Sequence, residues 1–189
     1  MKKTPLFLSV VSVARVSSRW FFAVMPVVFS AIFFGACTPT AKPDYVAVVF
    51  YEAPSTASAL WRDEVVMPVS GLRYHCFKKP EVTIRDFMAV HAVEIGPVGE
   101  RTPALLVQMS ENAARKLFQH TLVAPGSRLF LSINERYVGL HPIHGPVRDG
   151  NFYFYVELPS TGPEDFALKL RKLALDLNAS ILTLRKNPS

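Results

Sequence analysis

From position 45 onward the chain alternates between two kinds of hydrophobic pattern. Short runs rich in β-branched and aromatic residues predict strands, and apolar residues three and four apart predict helices. The first run, 45–51 (YVAVVFY), reads as a strand. Residues 64–69 and 72–78 form two more about Ser70-Gly71, with Pro68 placing the former at a sheet edge or a bulge. Residues 91–95 and 104–109 predict a further pair across the loop 96–103. Residues 128–133 and 137–140 predict a hairpin around Asn134-Glu135-Arg136, where three loop residues suit a bulged turn. A strand over 151–158 follows the Pro- and Gly-rich segment 141–150, and 180–185 reads as a final edge strand.

Helical spacing appears in three places. Thr83 precedes Ile84, Phe87 and Met88 and predicts a short capped helix over 83–89, with Asp86 in its first turn. Ser110 caps a second helix, in which Ala113 with Leu117 and Ala114 with Phe118 lie four apart, ending near Thr121. Pro163, Glu164 and Asp165 open a third, where a first-turn proline and two acids suit the positive end of the dipole. Its stripe of Phe166, Leu170, Leu173 and Leu177 needs a sheet to cover it. Strands joined mostly by short turns, with two substantial helices, predict an α+β domain: a mainly antiparallel sheet covered by two principal helices.

Upstream the pattern changes. Residues 20–36 hold no charge, Lys2, Lys3, Arg15 and Arg19 precede them, and no acid occurs before Asp44. Cations, an apolar run and the small residues Gly35 and Ala36 make up a secretory signal. Seventeen apolar residues interrupted by Pro26 are marginal for a permanent span. The junction Phe34-Gly35-Ala36-Cys37 resembles the bacterial lipobox, in which Leu is commonest where Phe34 stands. The resemblance implies that the Cys37 thiol carries a lipid, that 1–36 is a lipoprotein signal peptide and that 37–44 is a lipidated cysteine and tether. Residues 45–189 are then a single α+β domain, held to the bilayer and facing the periplasm. An uncleaved anchor with Cys37 as an ordinary thiol is the alternative, and it also places the domain outside the cytoplasm.

Setting the signal aside changes the charge. Of 21 Lys and Arg, 4 lie in it, which leaves 17 against 15 Asp and Glu and a net charge of +2. A nucleic-acid partner is not implied. If Cys37 is acylated, Cys76 has no disulfide partner; it reads as a core thiol, with His75 pointing to the opposite strand face.

No motif for chemistry stands out. His141 and His144 are three apart, but Pro142 denies them helical geometry and no third ligand is near in sequence, so no metal is expected. His91 and His120 fall inside predicted elements, Ser110 has a capping role, and Asp86 and Glu111 are accounted for by helix starts. No cofactor motif is present. A hydrolytic triad assembled in space rather than in sequence remains the alternative.

The run FKKPEVTIRDFMAVHAVEI from Phe77, then ALLVQMSENAARKLFQHT, RLFLSINERYVGLHPIHGPVRDG and PEDFALKLRKLAL, resembles the first periplasmic head domain of SecD, a membrane subunit of protein export. The likeness covers about 77–178. It implies a module that contacts exported polypeptide and carries no chemistry. The chain departs from that family in lacking its later membrane helices. The expectation is therefore a non-enzymatic, lipid-anchored module that binds polypeptide or an envelope complex, with edges at 64–69 and 180–185 open to strand addition. The alternative is an envelope hydrolase.

Overall fold

The computed structural model describes residues 45–187. Nine strands are present among them: β1 (Ala47–Tyr51), β2 (Arg62–Val66), β3 (Arg73–Phe77), β4 (Val82–Thr83), β5 (Phe87–Ile95), β6 (Thr102–Met109), β7 (Arg128–Ile133), β8 (Arg136–Pro142) and β9 (Asn151–Val156). Two α-helices accompany them, α1 (Glu111–Val123) and α2 (Pro163–Lys186). Seven strands form one antiparallel sheet in the order β4-β1-β7-β8-β9-β6-β5, and β2 pairs with β3 in a separate hairpin. The fold is the expected α+β arrangement.

Strand alternation divides the sheet into two faces. The inner face carries Val49, Leu105, Val107, Leu129, Leu131, Phe152 and Phe154, all buried, and both helices pack on it. The α1 helix contributes Ala113 and Leu117, and α2 contributes Leu170, Ala174, Leu177 and Ile181. On the outer face Phe130 lies in a second, smaller core with Val65, Met67 and Cys76 of the hairpin.

Several boundaries differ from the sequence expectation, each for a local reason. Residues 180–185 are not a strand: Ser180, Ile181 and the half-buried Leu184 continue the stripe begun by Leu170, so α2 runs unbroken to Lys186. The β-branched Ile181 and Thr183 imitate a strand locally, but tertiary packing outweighs their weak preference. After Thr83 only one 3₁₀ turn forms, Ile84–Asp86. Asp86 Oδ2 accepts from the Thr83 N–H at 2.9 Å, and Phe87 enters β5 at once because its ring belongs to the inner core. At the β7–β8 hairpin Ile133 pairs with Arg136, so the loop is two residues, Asn134-Glu135, both in the left-handed region (φ 49° and 65°). That geometry follows the strand twist. The irregularity expected there sits one step on, where Leu131 pairs with Gly139 and Ser132 with Tyr137.

Gly139 is needed where β8 meets β9. A Cβ there would lie 3.1 Å from the Tyr155 carbonyl oxygen and 3.3 Å from Val156 Cγ2. The two strands pair at only Gly139–Val156 and Leu140–Tyr155. Beyond that point the His141 ring bridges the gap, its Nδ1 lying 2.9 Å from the Tyr153 carbonyl. A carbonyl only accepts, so Nδ1 holds the proton.

Candidate functional site: a hairpin strap and its open edge

The hairpin of β2 and β3 lies across the outer face as a strap. Its alternation is one-sided: Val65 and Cys76 are buried, while Glu64, Val66, Arg73, His75 and Phe77 are exposed. Its base is fixed beside β1, where Cys76 bridges to Glu52 and the Ala53 N–H donates to the His75 carbonyl at 2.8 Å. Its tip is fixed beyond β9, where Glu157 Oε2 accepts from the Val69 and Ser70 amides at 2.9 Å each. Between these ends Val65, Met67 and Cys76 pack on Phe130, with Phe50, Tyr74, Tyr137 and Leu140 around them. Cys76 Sγ lies 3.1 Å from the Tyr137 hydroxyl, and burial pushes the thiol up despite that hydrogen bond. Such a thiol is inert, in keeping with a packing role. Cys37 lies outside the described residues.

The outer strand of the strap has an unfilled ladder. Lys78 N–H donates to the Trp61 carbonyl and Met67 N–H to the Leu72 carbonyl, which sets the alternation of bonded pairs along the hairpin. By that alternation Asp63 and Val65 exchange bonds with β3, and the backbone groups of Arg62, Glu64 and Val66 face the other way. β2 has no second neighbour among the described strands. The edge expected over 64–69 is therefore present over Arg62–Val66, and Pro68 sits in the turn beyond it. The second expected edge, 180–185, does not exist because those residues are helical.

Beside this edge runs a groove of about 570 Å³. Its apolar lining is Val46, Val48, Phe50, Pro80 and Tyr137, its charged groups are Asp63, Glu64 and Glu135, and Ser132 completes it. Sequence reading missed the groove because its residues come from four separated segments.

The far end of the sheet has another edge, β5. Asn178 of α2 bonds both backbone groups of Val90, and an Arg185 guanidinium nitrogen donates to the Phe87 and Met88 carbonyls. The helix thus closes the first half of β5, and a hollow of about 480 Å³ lies between the second half and α2, lined by Ala92, Glu94, Ala167, Leu170 and Arg171 among others. On the outer face here Tyr153 and Tyr155 of β9 are exposed.

A third cavity, about 880 Å³, lies between the end of β1 and the end of α1. It brings His120, which sequence reading took for a surface or core residue, against Tyr51, with ring centroids 4.3 Å apart, and places His120 Nε2 3.6 Å from Glu81 Oε1. The Tyr51 hydroxyl is buried without a hydrogen-bond partner among the described residues, and burial, then the Glu81 charge, pushes it far above the ordinary phenol range. Arg128 holds both oxygens of Glu52, at 2.9 and 3.1 Å, and lies over the Tyr74 ring. Acyl transfer would need a hydroxyl or thiol held by the imidazole. The Ser127 hydroxyl instead donates to the Ala124 carbonyl at 2.7 Å, and Cys76 is under the strap. His141 and His144 do not converge on a third ligand, and among the described residues no group of three His, Cys, Asp or Glu is placed to hold a metal.

Among the described residues no helix is long and apolar enough to cross a membrane. No protein-family model matches the chain, and no curated protein does. Solved structures of SecDF are similar in fold. One, of the membrane component SecDF that enhances protein export, is 13% identical over 92% of this chain and 72% of its own, with a TM-score of 0.47. A second, SecDF in its super-membrane-facing form, is 10% identical over 82% of this chain and 32% of its own, with a TM-score of 0.44.

Proposed function

We propose that this domain is a non-enzymatic polypeptide-binding module of the cell envelope, tethered to the bilayer by acylated Cys37 and acting in protein export. The observation that carries the reading is the unfilled ladder of β2 at Arg62, Glu64 and Val66 above a formed groove. An extended segment added there gains main-chain hydrogen bonds whatever its sequence, which suits a client that is not yet folded. The strap is fixed at both ends, so the edge is held ready without prior ordering. The tether 37–44 contains two prolines and keeps the domain close to the membrane surface.

Photocrosslinking residues placed at Val66 and Ala92 in cells test the reading, with Lys116 on the exposed side of α1 as control. Envelope or exported polypeptides are expected at Val66 well above the control. Equal capture at Val66 and Lys116, or turnover of an ester, amide or glycan by the purified full chain that His120→Gln abolishes, overturns it. For the tether, Cys37→Ser is expected to eliminate labelled fatty-acid incorporation and detergent-phase partitioning. Unchanged labelling in that variant refutes acylation at this position.

A further inference from the structure

We infer that the groove beside β2 selects extended segments carrying a lysine or arginine, an assignment of client chemistry that rests on the strand-addition reading above. The charged side chains lining it are all acidic. Asp63 and Glu64 come from β2 itself, and Glu135 comes from the β7–β8 turn. Asp63 lies 3.8 Å from Lys78 and Glu64 lies 3.1 Å from Arg73, but both pairs are about half exposed to water. Exposed pairs of this kind contribute little and exchange partners readily, so an incoming cation can displace Lys78 from Asp63, while Glu64, which strand alternation turns outward with Arg73, adds negative charge at the rim.

The floor points to a ligand independently of the acids. Ser132 is only 2% exposed, stands opposite Val48 and Tyr137 on neighbouring strands, and its hydroxyl has no hydrogen-bond partner among the described residues. Its oxygen opens onto the groove rather than into the core. Its neighbour the Tyr137 hydroxyl is already engaged with Cys76. An ammonium or guanidinium has only donors to offer, and an unengaged serine oxygen accepts. Val48, Phe50 and Pro80 supply apolar surface for the methylene stem that carries the cation. A strand paired with Arg62, Glu64 and Val66 turns every second side chain to the same side, so one long cationic residue reaches the floor while its neighbours stay clear.

The test uses the full chain in detergent micelles and two fluorescent hexapeptides of alternating Thr and Val that differ at one central residue, Lys against norleucine. The Lys peptide is expected to bind about tenfold more tightly at 20 mM salt. The gap should close near 1 M salt, where the Debye length falls to about 3 Å. The triple variant Asp63→Asn, Glu64→Gln, Glu135→Gln is expected to lose the preference while keeping its affinity for the norleucine peptide. Because these side chains lie at the groove surface, an unchanged urea midpoint confirms that the variant folds. Ser132→Ala should weaken the Lys peptide several-fold and the other not at all. Equal binding of the two peptides, or a preference that survives the triple variant, overturns the cation assignment and leaves strand addition standing; no binding of either overturns both.

Discussion

Asn178 meets Val90 as a neighbouring strand would: its Nδ2 donates to the Val90 carbonyl at 2.6 Å and its Oδ1 accepts from the Val90 N–H at 3.0 Å. One side-chain amide thus supplies both halves of a main-chain pairing and ends the ladder of β5 at that residue. Arg185 supplies the donor half alone, to the carbonyls of Phe87 and Met88. An exposed edge invites pairing with other chains, so this helix is the device that limits it. Asn178→Leu is expected to destabilise the domain by roughly 1–3 kcal/mol, the range for leaving buried polar groups unpaired. It should also promote self-association. Urea denaturation and analytical ultracentrifugation check the two effects; an unchanged midpoint together with a monomeric variant would show the contact to be passive.

The tip of the strap depends on one carboxylate. Burial alone would raise the Glu157 carboxyl, but hydrogen bonds from Ser70 and Val69 together hold it below its ordinary value. A depressed carboxylate contributes stability above its unfolded pKa, near 4.5, and loses it as pH falls through the folded value. Glu157→Gln is expected to loosen the tip at neutral pH, with faster amide exchange at Val69 and Ser70. The difference from wild type should shrink in acid, because protonation removes the same charge. A protection pattern identical at pH 7 would show that the strap is held by its packing on Phe130 alone.

His141 gives a second pH response by a different route. Burial pushes its imidazole down, the Tyr153 hydrogen bond opposes that shift, and the nearby His144 charge adds to it. The folded state therefore binds a proton less readily than the unfolded chain, whose ordinary value is 6.5. Stability is full above that value and falls as pH drops below it toward the folded value. In His141→Gln, which keeps a donor for the Tyr153 carbonyl, the urea midpoint is expected to change less between pH 7.5 and 5.5 than in wild type. Parallel pH curves for the two proteins would assign the response to another group.

Elements whose pattern is local were legible in the sequence, and those set by long-range partners were not. Ser110 caps α1 as read, accepting the Ala113 N–H at 3.4 Å; the strand over 128–133 appears with those bounds, and those around 91–95 and 104–109 start a few residues earlier. Cys76 and His75 take opposite faces because a strand leaves no other choice. The C-terminal segment misled because its β-branched residues look like a strand when taken six at a time. Read from Leu170 through Leu177 to Ile181 the helical period is unbroken. The groove and the His120 cavity left no trace in sequence spacing. Glu64, Ser132 and Glu135, like Tyr51, Glu81 and His120, meet only after the sheet has assembled.

The corrected helix changes which leucines matter. Sequence spacing gives Leu170, Leu173 and Leu177 equal standing, but α2 lies on the sheet along Leu170, Ala174, Leu177 and Ile181, and Leu173 is half-buried at the margin. Leu177 is fully enclosed, and Leu175 points to water at 70% exposure. Removing an enclosed leucine side chain loses its transfer free energy and leaves a cavity, so Leu177→Ala is expected to cost roughly 2–5 kcal/mol. Leu173→Ala should cost less, about 1 kcal/mol, because water fills the space it leaves. Leu175→Ala should lie within about 0.5 kcal/mol of wild type, as surface substitutions do. Chemical denaturation of the three variants measures the order directly. If Leu173→Ala proved as damaging as Leu177→Ala, α2 would have to be rotated on the sheet, and the pairing of Asn178 with Val90, which stands on the same helix one residue beyond Leu177, would be lost with it.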